Sequence, residues 1–145
     1  AKNVSHDVKE LEKIFGRKIT GHAYPMGQFN QDVKNVLTDN GILYARTVKS
    51  THAFGLPKDW YEWNPTGHHG EAGTMDDIER FLRDDGAVLF FLWGHAFEFD
   101  RDDNWELMEK IAGRLGGRDD IWYCTNGELY SWLARSRAAS GIPVT

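Results

Sequence analysis

Seven consecutive apolar residues, Ala87-Val-Leu-Phe-Phe-Leu-Trp93, restrict the fold more than any other stretch of this chain. The run is strand length, and a strand apolar on both alternating faces has to be covered on both. Sheets of that kind are built from parallel strands whose crossover helices lie above and below the sheet.

The rest of the sequence alternates accordingly. Val4, Val8, Leu11 and Phe15 form one apolar helical stripe, with Ser5 as N-cap and Gly16 as stop. Residues 18–24 read as a short strand. Asn30 opens a second helix through Val33, Val36 and Leu37 that stops at Asn40-Gly41, and residues 42–47 form a second strand. Thr74 and Asp77 have the spacing of a capping box for a helix carrying Ile78, Phe81 and Leu82. The apolar run follows. The acidic residues Glu98, Asp100, Asp102 and Asp103 precede a helix with Trp105, Met108, Ile111, Ala112 and Leu115 inward, stopped by Gly116-Gly117. Residues 120–124 read as a last strand, Asn126 caps a final helix, and the tail 140–145 is expected to fray.

The order αβαβ–loop–αβαβα predicts right-handed parallel βαβ units in one domain spanning 1–145. The expected class is α/β, a mostly parallel sheet of about four strands with flanking helices. Such a sheet is either open and doubly wound or part of a β/α barrel. Residues 48–73, with Pro57, Pro65 and several glycines, form a long loop of the kind that carries function.

Composition narrows the partners. A net charge of −5 leaves no Lys/Arg stripe to displace counterions from phosphates, which excludes nucleic acid. No apolar run approaches the ~18 residues of a membrane span. One cysteine, Cys124, excludes an intrachain disulfide. The chain opens inside a helix approach with no secretory signal, as a processed or truncated product would; location stays open, with the cytoplasm slightly favoured. Six Trp, eight Phe and five Tyr serve either a packed core or a sugar-stacking cleft.

Ligands of open α/β sheets and of β/α barrels bind at the C-terminal strand ends. Those ends are Tyr24-Pro25, Arg46-Thr47, His95 after Trp93 and Gly94, and Cys124-Thr125-Asn126. The 48–73 loop leaves the same edge and adds His52, Trp60, Trp63, His68 and His69. His95 is the sharpest candidate, either a general acid or a histidine that fastens a loop. Neighbouring residues ordinarily point apart, so His68 and His69 are not expected to share one ion. A zinc set of either one with His95 and Cys124 is chemically reasonable but has no recognised spacing. The acidic run lacks calcium-loop spacing and reads as helix-start charge. Cys124 reads as a structural cysteine.

Specific strings add a family. Ala23-Tyr-Pro-Met-Gly27, Gly41-Ile-Leu-Tyr-Ala-Arg-Thr47, Trp63-Asn-Pro-Thr-Gly-His-His69, Leu92-Trp-Gly-His-Ala-Phe-Glu98, Asp103-Asn-Trp105 and Ile121-Trp-Tyr-Cys-Thr-Asn126 occur in that order. Together they resemble the C-terminal half of bacterial polysaccharide deacetylases, the NodB-homology enzymes of carbohydrate esterase family 4. The resemblance covers nearly the whole chain. It implies half of a distorted β/α barrel and a metal-dependent hydrolase that removes acetyl groups from N-acetylated oligosaccharides or polysaccharides.

In that family an Asp and two His hold zinc or another divalent metal, a neighbouring Asp is the base, and a late His, matched by His95, is the acid. Tyr24 and Pro25 match a groove-wall motif whose usual Arg is replaced by Ala23, with Arg46 as a substitute. Trp60 and Trp63 stand nearest to the Asp-Trp motif that orients the late His. The Thr-Phe-Asp-Asp and His-x-x-x-His segments do not occur, so no metal ligand is assigned and catalysis by this chain alone is expected to be incomplete. The expected substrate contacts are Tyr24, Pro25, Arg46, Trp60, Trp63, His68, His69 and Trp93. The alternatives are a non-catalytic carbohydrate-binding domain, or a half barrel that associates with itself or with the missing N-terminal half.

Overall fold

The computed structural model describes residues 2–139, so the tail expected to fray lies outside the described residues. Among them the chain is α/β, and its strands make two parallel two-stranded sheets, β1–β2 and β3–β4. The expected sheet of about four strands is thus divided between two compact units.

The first unit takes the chain up to Thr47, Pro57–Trp63, and the segment from Tyr123 into the last helix. Helix α1 (Lys2–Phe15) packs Val4 and Val8 toward the core. The other half of its stripe, including Phe15 at 59% exposure, faces solvent. Ser5 lies inside the helix rather than capping it. Gly16 stops it as expected: it adopts φ 62°, and its N–H donates to the Glu12 carbonyl at 2.9 Å.

Strand β1 (Gly21–Ala23) pairs in parallel with β2 (Tyr44–Arg46), Gly21 opposite Tyr44. Between them lie a 3-10 turn at Pro25–Gly27 and α2 (Gln31–Asp39). The Asn30 side chain caps α2, accepting from the Val33 N–H at 2.9 Å. Trp63 adds a parallel bridge on Arg46. Tyr24, Leu37, Ile42 and Ala45 form the buried centre. Helix α6 (Asn126–Ala139) is the last element among the described residues. Its cap is Thr125 rather than Asn126. The Thr125 hydroxyl accepts from the Glu128 N–H at 3.2 Å, and the Glu128 carboxylate accepts from the Thr125 N–H at 2.7 Å.

The second unit consists of Val48–Leu56 and Asn64–Trp122. Strand β3 (Gly67–His68) pairs in parallel with β4 (Leu92–Trp93), Gly67 opposite Leu92. Helices α3 (Thr74–Phe81), α4 (Ala96–Arg101) and α5 (Trp105–Leu115) accompany them. Phe54, Ile78, Phe99 and Ile111 are buried, and Phe54 meets Phe81 edge-on at 5.5 Å.

Three expectations fail here for local reasons. Only the end of the apolar run is strand. Val88 is 66% exposed, and the Val88 and Leu89 amides both donate to the Phe54 carbonyl, at 3.0 and 2.8 Å, instead of joining a ladder. Thr74 and Asp77 make no capping box. The cap residue is Gly73, the Thr74 hydroxyl donates to the His68 carbonyl at 2.9 Å, and Asp77 is engaged by His52. Residues 120–124 form no strand; Trp122 and Tyr123 are each more than half exposed, whereas a strand in a parallel sheet needs both faces covered.

Candidate functional site

β3 and β4 run in the same direction, so their C-terminal ends lie side by side, and the residues just beyond them meet. His68 is the last residue of β3. Its carbonyl accepts from the Glu71 N–H at 3.1 Å, which turns the chain immediately after the strand. His69 sits in that turn, and its N–H donates to the Trp93 carbonyl of β4 at 2.9 Å. The turn cancels the alternation expected of neighbouring strand residues. Both imidazoles therefore lie on one side, with ring centres 4.4 Å apart, and the expectation that they diverge is corrected.

From β4 the chain passes through Gly94 to His95, which opens α4. Glu98 in the first turn reaches back, and its Oε2 accepts from the His95 N–H at 3.0 Å. The same oxygen lies 3.0 Å from His68 Nε2 and 3.3 Å from His69 Nε2. One carboxylate oxygen thus gathers an amide and two imidazoles. Burial alone would raise the Glu98 carboxyl, but the His95 amide and the charges of His68, His69 and His95 hold it below the ordinary glutamate value. His69 is buried, with 7% exposure, and stacks on Phe99 at 4.2 Å. That burial, then the charge of His68, keeps its proton affinity below that of an ordinary histidine, against the pull of Glu98.

His95 itself is exposed. Its ring stacks on Phe97 at 5.3 Å and meets Trp93 edge-on at 5.7 Å. Trp93 in turn meets His68 edge-on at 4.6 Å. Phe97, 59% exposed, extends this aromatic wall into solvent.

The residues assigned to the first unit are placed differently. Tyr24 is 2% exposed; its hydroxyl donates to the Tyr61 carbonyl at 2.9 Å, and burial, partly offset by Lys34, pushes its pKa up to about 12. Trp60 and Trp63, at 6% and 1% exposure, pack edge to face at 5.1 Å. These three rings are core and offer no face to a sugar. Pro25 is exposed at the head of its 3-10 turn. Arg46 is half-buried on β2, donates to the Thr47 carbonyl at 3.3 Å, and has its proton affinity lowered by burial. Cys124 is a free, half-buried thiol raised by burial and by the Glu128 charge. Glu98 and Phe97 were missed: Glu98 read as helix-start charge, and only the i, i+3 spacing from His95 signals its reach back to the strand tips.

Among the described residues His68, His69 and Glu98 form the one trio of metal-capable donors, with ligand atoms within 4.8 Å of one another. That span suits zinc, but the hydrogen-bond polarity does not. A metal-bound imidazole donates its second N–H to an acceptor, whereas His68 Nδ1 accepts from the Gly70 N–H at 3.1 Å. The neutral ring therefore carries its proton on Nε2, facing Glu98. The cluster is arranged to share protons and does not fit a zinc centre. Thermal unfolding with excess zinc and then with EDTA should give midpoints within about 2 °C of each other. A zinc-dependent rise above about 5 °C would instead make the trio a metal site.

No family model, no curated protein and no solved structure matches the chain.

Proposed function

We propose that this chain is a polysaccharide-deacetylase-like domain that holds an N-acetylated sugar and presents a histidine as proton donor for a deacetylation whose attacking hydroxide it does not itself supply, its parallel strand pairs being strands of a β/α half barrel. One observation carries the proposal. Two parallel strands end together, and the residues just past them bring an exposed histidine, a carboxylate-bound histidine pair and an open aromatic wall to one place.

Each group has a part that follows from its surroundings. Of the three histidines at these strand tips, His95 is the exposed one, placed where a bound sugar's leaving group can reach it as general acid. Glu98 fixes the backbone at His95 through its amide, so the ring starts from a defined point rather than a loose loop. Phe97 and Trp93 offer the apolar faces on which pyranose rings stack. Buried His69 stacks on Phe99 and lies against Glu98, which holds the carboxylate at the strand tips.

In the family that the sequence resembles, a divalent metal supplies the attacking hydroxide. The His68 polarity does not fit that role, so hydrolysis is not assigned to these residues alone. Titration with N-acetylchitooligosaccharides should perturb Trp fluorescence at millimolar sugar, and His95→Ala and Phe97→Ala should each weaken the response severalfold. Acetate release should stay at the buffer rate, with or without zinc. No fluorescence change at millimolar sugar would remove the sugar-binding proposal. Robust acetate release would show that the chain activates water itself. Binding that survives both His95→Ala and Phe97→Ala unchanged would remove the strand tips as the sugar site.

A further inference from the structure

A second cluster in the same unit has no part in the strand-tip site. His52 adopts φ 52°, a left-handed conformation unusual for a residue with a side chain. The backbone is held there from both sides: its N–H donates to the Thr66 carbonyl at 2.9 Å, and its carbonyl accepts from Arg80 Nη2 at 2.9 Å. His52 Nδ1 lies 2.7 Å from Asp77 Oδ2. Asp77 is 5% exposed, and its other oxygen takes Arg80 Nη1 at 2.8 Å. Arg80 also covers the Phe54 ring at 5.1 Å.

This is the constellation of a buried carboxylate orienting an imidazole. With Nδ1 committed to Asp77, the ring has only Nε2 to offer to a ligand. His52 borders a cleft of about 560 Å³ whose lining includes Arg80, Arg83 and Asp84, a volume suited to a small molecule. Arg80 is already paired with Asp77, so the cation the cleft has left for a ligand is Arg83. The one acid on its wall, Asp84, turns an oxygen onto the Gly86 N–H at 2.9 Å. The groups that set the His52 charge are Asp77, whose hydrogen bond and charge raise its proton affinity, Glu71, which adds to them, and Arg80, which opposes them, as does burial.

We propose that this cleft binds a small oxyanion, a carboxylate or phosphate group, between His52 Nε2–H and the Arg83 guanidinium, with Asp77 and Arg80 as positioning residues. Charge-assisted hydrogen bonds from two cationic donors are the strong kind. The backbone at His52 is held in its left-handed conformation by Thr66 and Arg80, which fixes the residue at the cleft's border.

The test is a titration of the full chain with inorganic phosphate, and separately with acetate, read from the imidazole resonances of His52, which His52→Gln identifies by their loss. The expected result is saturable movement at millimolar phosphate or acetate, with the ratio of the two affinities naming the preferred group. Affinity should fall about tenfold or more in Arg83→Gln, whose substitution lies on an exposed surface and leaves the fold intact. It should also fall as pH rises and His52 loses its proton. His52 resonances that stay still at high phosphate and acetate, or binding that is equal in Arg83→Gln, would overturn the proposal and reduce the cluster to a staple between residue 52 and α3.

Discussion

Replacing Trp63 by alanine is expected to destabilise the first unit by about 3–5 kcal/mol, the cost of deleting a fully buried tryptophan. Trp63 is 1% exposed and packs edge-on against both Trp60 at 5.1 Å and Tyr44 at 5.6 Å. Its backbone extends the sheet, since its N–H donates to the Ala45 carbonyl and its carbonyl accepts from the Thr47 N–H, both at 3.0 Å. The substitution therefore empties a volume that those rings cannot refill by small shifts. Urea unfolding followed by circular dichroism measures it. A loss below about 1 kcal/mol would mean that the indole is a surface platform after all, as a sugar-stacking assignment requires.

Gly94→Ala should cost about 1–3 kcal/mol, an overpacking penalty, and should disturb the histidine pair far more than a surface alanine would. A Cβ on Gly94 would collide with the His69 imidazole. His69 cannot yield easily, because Phe99 stacks on it at 4.2 Å and Glu98 lies at 3.3 Å. The ring must either leave its place, losing its contact with Glu98, or push β4 away from β3. Urea unfolding and the histidine NMR signals read the two consequences separately. Unchanged stability together with unmoved His69 signals would show that the imidazole does not fill the hollow beside Gly94.

Most helices were legible from the sequence and strands only partly so; α4 was not, because Glu98, Asp100, Asp102 and Asp103 read as the acidic lead-in to the helix at Trp105. Helix α2 was readable from end to end because Asn30, an apolar stripe and Gly41 are local signals, and Gly41 adopts φ 77° as a helix stop should. The run from Ala87 to Trp93 reported hydrophobicity, not pairing; its first half extends along residue 54 instead of a strand. β3 left no mark at all, since Gly67 and His68 belong to a polar, glycine-rich string and become a strand only by meeting Leu92 and Trp93. The strand-end rule still led to His95, Trp93, His68 and His69. It gave no warning that Tyr24, Trp60 and Trp63 would be interior, because an aromatic residue at a strand end reads alike whether it faces ligand or core. Glu98 was hidden for a related reason: a carboxylate that favours a helix start also faces whatever lies just before that helix.

The units are interleaved along the chain, with Pro57–Trp63 inserted between the two segments of the second and α6 returning to the first. Tyr130 of α6 packs on Trp60 at 5.0 Å and on Tyr44 at 5.5 Å. During synthesis, then, the β1–β2 sheet must wait for α6 before its aromatic layer is complete. Closure across such sequence distances is slow, and a ribosome-bound intermediate would display those rings to chaperones until α6 emerges.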